Sequence, residues 1–395
     1  MSKFEFYNVG RIVFGRGQAA RIGELAKQFG AAALLVYNTT EPGAGGETDR
    51  VADALRKAGM RVVFLRQRGE PWVGVVDAAV ETARRGGCDV VIGLGGGSAI
   101  DTAKATAGLL SNGGSALDYM EVVGKGQKIT RPAAPWIAMP TTAGTGAEAT
   151  RNAVVGYPEK QFKASIRSEY LLARVAVVDA ELGVNVPPEV TASSGMDALC
   201  QLIESYTSNN ANAMSDALAI QGIPLAARAL RRVYADGRDL DAREDMAMAA
   251  LLSGITLANA GLGAVHGFAS PLGASFPVPH GAACAALLPH VIAANIQAMR
   301  AESARHVGLA RYAVIGRALA GQSDLENDAA IEMCAQFTAS LARDLKIPAL
   351  GQFGLGVGDI PGMVALARKS SSMRYNPVTL SETTLSDILR KAIGA

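Results

Sequence analysis

The chain has 395 residues, of which 49% are hydrophobic and 5% aromatic, and a formal net charge of +2. Such a length exceeds one ordinary core, so two domains are expected. The near-neutral balance, without a Lys/Arg block interleaved with aromatics, excludes nucleic acid as an implied partner.

Read from the N-terminus, the opening residues carry no apolar signal-like run, which points to a cytoplasmic location. Phe4–Val9 and Arg11–Phe14, hinged at Gly10, read as an edge hairpin. Strand signals follow at Leu34–Tyr37, Val62–Leu65, Val90–Ile92, Trp136–Met139 and Val175–Val178. Helical patterns at Ala19–Phe29, Thr48–Ala58, Val75–Arg85 and Ala99–Leu110 alternate with them. Strand and helix in alternation imply βαβ units and an α/β domain with a mostly parallel sheet.

After Pro187-Pro188 the strand signals stop. Helical runs take over at Val190–Thr207, Ser215–Ala235, Ala242–Asn259, Ala283–Met299, Ala304–Ala320, Ala329–Leu345, Ile360–Lys369 and Leu380–Ile393. An all-helical second domain is therefore expected, with residues 1–184 and 185–395 as the two parts and the active site in the cleft between them.

Two loops in the first part carry binding chemistry. Gly93-Leu94-Gly95-Gly96-Gly97-Ser98 ends a buried strand and opens a helix. Glycines there bring backbone N–H groups close to an anion, and the helix N-terminus attracts it, so phosphate binding is preferred to an ordinary tight turn. Thr141, Thr142 and Thr145, with Gly144 and Gly146, form a second polar loop that could wrap a ribose or a nicotinamide amide, or simply cap a helix.

The second part holds a stretch, Met246–Met299, without one Asp, Glu, Lys or Arg but with His266, His280 and His290. Neutral imidazoles in such surroundings are good metal ligands, and a dry site strengthens a cation's field. Asp197 is the candidate anionic partner, with Gln201 one helical turn on and facing the same way. A membrane span is rejected because prolines and glycines interrupt the apolar run before about 20 residues accumulate. The four cysteines, Cys88, Cys200, Cys284 and Cys334, form no CxxC pair and read as buried thiols.

Taken in order, Gly95-Gly96-Gly97-Ser98-x-x-Asp101, Pro140-Thr141-Thr142-Ala143-Gly144-Thr145-Gly146-x-Glu148, Gly195-Met196-Asp197-Ala198-Leu199, then His266 and Pro279-His280-Gly281 resemble the iron-containing (group III) alcohol dehydrogenase family. Leu287-Leu288-Pro289-His290 fits the same pattern, and the likeness spans nearly the whole chain.

The resemblance implies NAD or NADP held by Gly95, Gly96, Gly97, Ser98, Thr141, Thr142 and Thr145, with Asp101 fixing the substrate or nicotinamide end and Lys163 close to the cofactor. It further implies a divalent metal, Fe2+ or Zn2+, on Asp197, Gln201, His266 and His280, and a homodimer. The implied reaction is hydride transfer between the nicotinamide and a small alcohol or aldehyde whose oxygen the metal polarises. Phe268, Leu272, Phe276 and Val278 are the apolar candidates around that substrate.

This chain departs from the family pattern at three places. Gln201 stands where a ligand histidine is usual, Ser270 where a further histidine is common, and Asn38 where an acid grips the adenosine ribose. A neutral amide is a weaker donor for Fe(II) or Zn(II), so three protein ligands, as in glycerol dehydrogenases of the superfamily, are one outcome. Asn38 repels no 2′-phosphate, which leaves NAD against NADP open. A metal-independent reductase resembling maleylacetate reductases, and a lyase resembling dehydroquinate synthases, are the alternatives.

Overall fold

Ala33–Val36 and Val90–Ile92 are too apolar to leave either face in water, and each is buried along its whole length. A computed structural model, which describes residues 3–160 and 162–394, places them at the centre of a parallel sheet. The chain folds as two units, one of Tyr7–Val186 and another that starts at Pro187 and includes the segment up to Phe6.

The first unit contains β1 (Ile12–Phe14), β2 (Ala32–Tyr37), β3 (Arg61–Arg66), β4 (Val90–Gly95), β5 (Trp136–Pro140), β6 (Asn152–Tyr157), β7 (Phe162–Arg167) and β8 (Val175–Val178). Its helices are α1 (Ile22–Lys27), α2 (Glu47–Lys57), α3 (Val73–Arg85), α4 (Gly97–Asn112) and α5 (Ala116–Tyr119). Six strands pair in the order β1-β8-β5-β4-β2-β3, all parallel. From β2 the chain turns one way to β3, and from β4 the other way to β5. The crevice at their carboxyl ends is the topological switch point where α/β sheets bind ligands.

Two local expectations need correction. Phe4–Val9 forms no strand; only Ile12–Phe14 joins the sheet, parallel to β8 rather than in a hairpin. Alternating apolar residues at a chain start carry no information about the partner strand, and β8 supplies a free edge. The β6–β7 hairpin had no counterpart among the strand signals; it pairs antiparallel, apart from the main sheet.

The second unit is helical: α6 (Pro188–Thr207), α7 (Ala213–Ala235), α8 (Leu240–Ala260), α9 (Ala264–Ser275), α10 (His280–Glu302), α11 (Val307–Ala320), α12 (Asn327–Asp344), α13 (Ile360–Ala367) and α14 (Glu382–Ile393). Helix α6 packs against α7, α8 and α10. Pro271 proved a weaker breaker than expected, since α9 runs through it; α10 continues through Pro289, as the helical run there predicts. One lost backbone bond is tolerated where the rest of the helix is buried. By length and composition α10 could cross a bilayer, but 72% of its apolar window is buried inside the fold, as in a core helix.

Candidate active site

The second unit brings Asp197, His266 and His280 together from three helices. Asp197 lies on the buried face of α6, His266 in the first turn of α9, and His280 at the first position of α10. Asp197 Oδ1 is 3.2 Å from His266 Nε2 and 3.7 Å from His280 Nε2. The approach of α10 to α6 depends on Gly281. A Cβ there would sit 2.4 Å from the Ser193 carbonyl oxygen, so any side chain would push His280 away from Asp197.

Glu204, which sequence reasoning missed, orients this cluster. It lies seven residues after Asp197, two turns along the same face of α6. Its Oε2 is 2.7 Å from His266 Nδ1, and its Oε1 accepts the Val265 N–H at 2.7 Å. One buried carboxylate thus caps the start of α9 and accepts the Nδ1–H hydrogen bond of His266. That leaves Nε2 as the free donor, the arrangement that orients metal-bound histidines. The signal was available: Asp197, Gln201 and Glu204 recur at helical spacing in one buried helix.

The structure gives Gln201 a place other than that of a ligand. Its Nε2 donates to Asp197 Oδ2 at 3.0 Å, and its Oε1 accepts from Ser253 Oγ at 2.8 Å. Exchanging the amide atoms would set an oxygen against the carboxylate, so the network determines the orientation. Gln201 therefore holds Asp197, with its own carbonyl oxygen engaged by Ser253.

Cys284, read only as a buried thiol, is in the cluster instead, with Sγ 3.6 Å from His266 Nε2 and 3.7 Å from His280 Nε2. Asp197, His266, His280 and Cys284 each offer one donor atom, all within 4.8 Å of one another. Burial alone would raise the Asp197 carboxyl, yet the charges of His280 and His266 hold it below its ordinary value. Cys284 and Asp197, against burial, push His280 up to about 9. A carboxylate, two imidazoles and a thiol whose donor atoms gather within 4.8 Å form a set suited to a divalent cation.

The remaining candidates in this unit fall elsewhere. His290 is half-buried farther along α10 and does not belong to the donor cluster. Ser270 is exposed. Phe268, Leu272 and Val278 are buried in the core, with Phe276 partly so.

In the first unit the cofactor candidates converge at the carboxyl ends of β2, β4 and β5, where Leu94 is in register with both Tyr37 and Met139. Gly95 has φ +150°, and a Cβ on it would lie 1.8 Å from Asn38 Oδ1. Gly96 caps α4 without any side-chain cap, leaving the Gly97 and Ser98 N–H groups available to an anion. Asn38 Oδ1 accepts the Gly96 N–H at 3.0 Å, which ties the β2 and β4 turns together and leaves the amide nitrogen to face outward. Ser98, Thr142 and Thr145 are half-buried beside this turn, and Thr141 is buried at its start, its N–H on the Gly95 carbonyl.

Asp101 and Lys163 have partners of their own. Asp101 Oδ2 accepts the Val154 N–H at 3.0 Å, and Oδ1 faces Lys104 Nζ at 3.4 Å. Lys104, fully buried, also reaches Thr150 Oγ1 at 2.8 Å and the Asn152 carbonyl at 2.7 Å. Burial raises the Asp101 carboxyl and lowers the Lys104 ammonium, each opposed by the other's charge. This pair clamps α4 to the β6–β7 hairpin, so Asp101 has a structural task whatever it meets in the cofactor crevice. Lys163 pairs with Glu70 at 2.9 Å.

Comparison with known proteins settles the family. Residues 10–180 match the iron-containing alcohol dehydrogenase model, and residues 191–393 match the C-terminal model of the Fe-containing alcohol dehydrogenase family. The chain belongs to the iron-containing alcohol dehydrogenase family. It is 36% identical to long-chain-alcohol dehydrogenase 1 of Geobacillus thermodenitrificans, over 98% of both chains. Among solved structures, alcohol dehydrogenase from Oenococcus oeni superposes with a TM-score of 0.91 at 30% identity, covering 99% of this chain and 100% of that one. Sulfoacetaldehyde reductase from Bifidobacterium kashiwanohense, solved with NAD+, gives 0.86 at 28% identity, covering 100% and 99%. The family implies a nicotinamide cofactor and a divalent metal, and the glycine turn and the carboxylate–imidazole–thiol cluster have the chemistry to hold them.

Proposed function

We propose that the chain is a metal-dependent, NAD(P)-linked alcohol dehydrogenase or aldehyde reductase acting on a small or moderately hydrophobic substrate. Residues 1–184 hold the cofactor, residues 185–395 hold the metal, and the enzyme works as a cytoplasmic homodimer. The observation that carries this reading is the convergence of Asp197, His266 and His280 through Oδ1, Nε2 and Nε2, in a chain of this family.

Bound to those residues, a divalent cation supplies the Lewis acid that polarises the substrate oxygen, and the nicotinamide supplies or accepts the hydride. The protein's own groups do the rest. Gly95, Gly96, Gly97 and Ser98 present the open start of α4 to the pyrophosphate, with Thr141, Thr142 and Thr145 beside it. Asn38 offers its amide nitrogen to the adenosine ribose, and its neutral side chain admits either NAD or NADP. Glu204 and Gln201 orient His266 and Asp197. Asp197, His266 and Cys284 are buried among the helices, which strengthens the charges there, while His280 stands exposed at the site's open side.

Elemental analysis of protein purified without chelator, paired with NADH and NADPH oxidation over an aldehyde panel, tests the reading. Stoichiometric metal with aldehyde-dependent turnover is expected. Full turnover by metal-free protein would establish the metal-independent reductase instead.

A further inference from the structure

We propose that Cys284 is the fourth protein ligand of the metal, so that the site is an Asp–His–His–Cys set selective for zinc over iron. The proposal rests on the metal-dependent reading above and specifies its first coordination shell. Three observations lead to it.

The first is direction. His266 Nδ1 is engaged by Glu204 at 2.7 Å, so the ring can present only Nε2 to a cation. Cys284 lies on that edge, whereas Cys200 lies 3.9 Å from Nδ1, on the Glu204 side. Of the two thiols next to His266, only Cys284 shares a centre with Asp197 and His280.

Donor spacing is the second. A tetrahedral ion with bonds of about 2.0 Å to nitrogen or oxygen and about 2.3 Å to sulfur has N/O edges of about 3.3 Å and N–S edges of about 3.6 Å. The two sulfur–imidazole separations are 3.6 and 3.7 Å, and the two carboxylate–imidazole separations are 3.2 and 3.7 Å. Four of the six edges of such a tetrahedron are thus matched, and all four donor atoms lie within 4.8 Å of one another.

The third concerns the residue that does not reach the centre. Gln201 Oε1, the amide's donor atom, is bonded to Ser253 Oγ at 2.8 Å, and Gln201 Nε2 to Asp197. Cys284 is one turn beyond His280 on α10 and therefore on the same helical face. Helix α10 thus supplies two ligands, α6 and α9 one each.

The chemistry follows from the donor types. Thiolate is a soft ligand that favours zinc over Fe(II) relative to imidazole or amide. Two anionic ligands also neutralise a divalent ion, so the bound cation polarises a substrate oxygen less strongly than in a one-carboxylate site and must add a fifth ligand to engage it.

Titration of chelator-stripped, thiol-reduced protein with Co(II) tests this without reference to turnover. The wild type should develop an intense near-ultraviolet thiolate-to-cobalt charge-transfer band. Cys284→Ser and Cys284→Asp should lose the band, while Cys200→Ala keeps it. Zinc affinity, measured by competition with a chromophoric chelator, should fall by about 100-fold or more in Cys284→Ser. The wild-type spectrum is informative even if a variant fails to fold. Stoichiometric Co(II) binding without that band, or a band that survives Cys284→Ser, overturns the thiolate ligand and leaves metal dependence standing. No binding of Co(II) or Zn(II) by the wild type overturns metal dependence itself, and this proposal with it.

Discussion

The glycine turn after β4 and the donor cluster between α6, α9 and α10 are each suited to a charged partner, by opposite means. The turn uses backbone N–H groups and needs side chains to be absent: a Cβ on Gly95 would collide with Asn38. The cluster uses side-chain atoms brought from positions 69 residues apart, and it depends on helix packing. A backbone site is sensitive to added atoms, whereas a side-chain site is sensitive to lost ones and to any shift of the helices that carry them.

The largest effect should come from removing a donor. His280→Ala is expected to lower kcat/KM by about a thousandfold or more, since Lewis-acid assistance supplies several kcal/mol. Metal content should fall in parallel while NAD(P)H binding, followed by fluorescence, changes little. Loss of cofactor binding as well would show that the two sites are not separable in this way.

Gly281→Val attacks the same cluster through packing. Its side chain must displace α10 from the Ser193 carbonyl, so a loss of about 1–3 kcal/mol in stability is expected by denaturant titration, together with weakened metal retention. Next comes Glu204→Gln, which keeps the shape but removes the charge that holds His266 Nδ1. Metal affinity should drop about 10- to 100-fold, with a smaller change in fold stability. An unchanged affinity would reduce Glu204 to a helix cap.

On the backbone side, Gly95→Ala should raise the Michaelis constant for NAD(P)H about tenfold or more, through a strain of about 1–3 kcal/mol at φ +150°. Metal content should be untouched, the reverse of the His280 pattern. Asn38→Asp is the mildest change. A carboxylate there repels a 2′-phosphate, so the ratio of NADH to NADPH efficiency should rise by about tenfold, near 1.4 kcal/mol.

Some of this was open to reading in the chain and some was not. The strands Val90–Gly95 and Val175–Val178 and the long helices of the second unit follow from apolar runs and helical period, because burial dictates both. Helix α9 escaped because Gly267 and Pro271 interrupt its pattern, and the β6–β7 hairpin because its strands are only half-buried. Asp101 fits the binding motif, but the short reach of Lys104 and the Val154 N–H draws it into structure.

The sequence by itself determined that a glycine-rich turn of phosphate-binding type follows the core of β4 and that a carboxylate and imidazoles lie in the helical half, the imidazoles in an uncharged stretch. These are local matters: glycine content, periodicity and residue type speak for single elements. Which side chains share a centre was decided only by tertiary structure. Asp197, His266, His280 and Cys284 meet, and Gln201 does not, because the crossing of α6, α9 and α10 and the bond from Ser253 set where each donor atom ends. No spacing along the chain encodes a distance between helices.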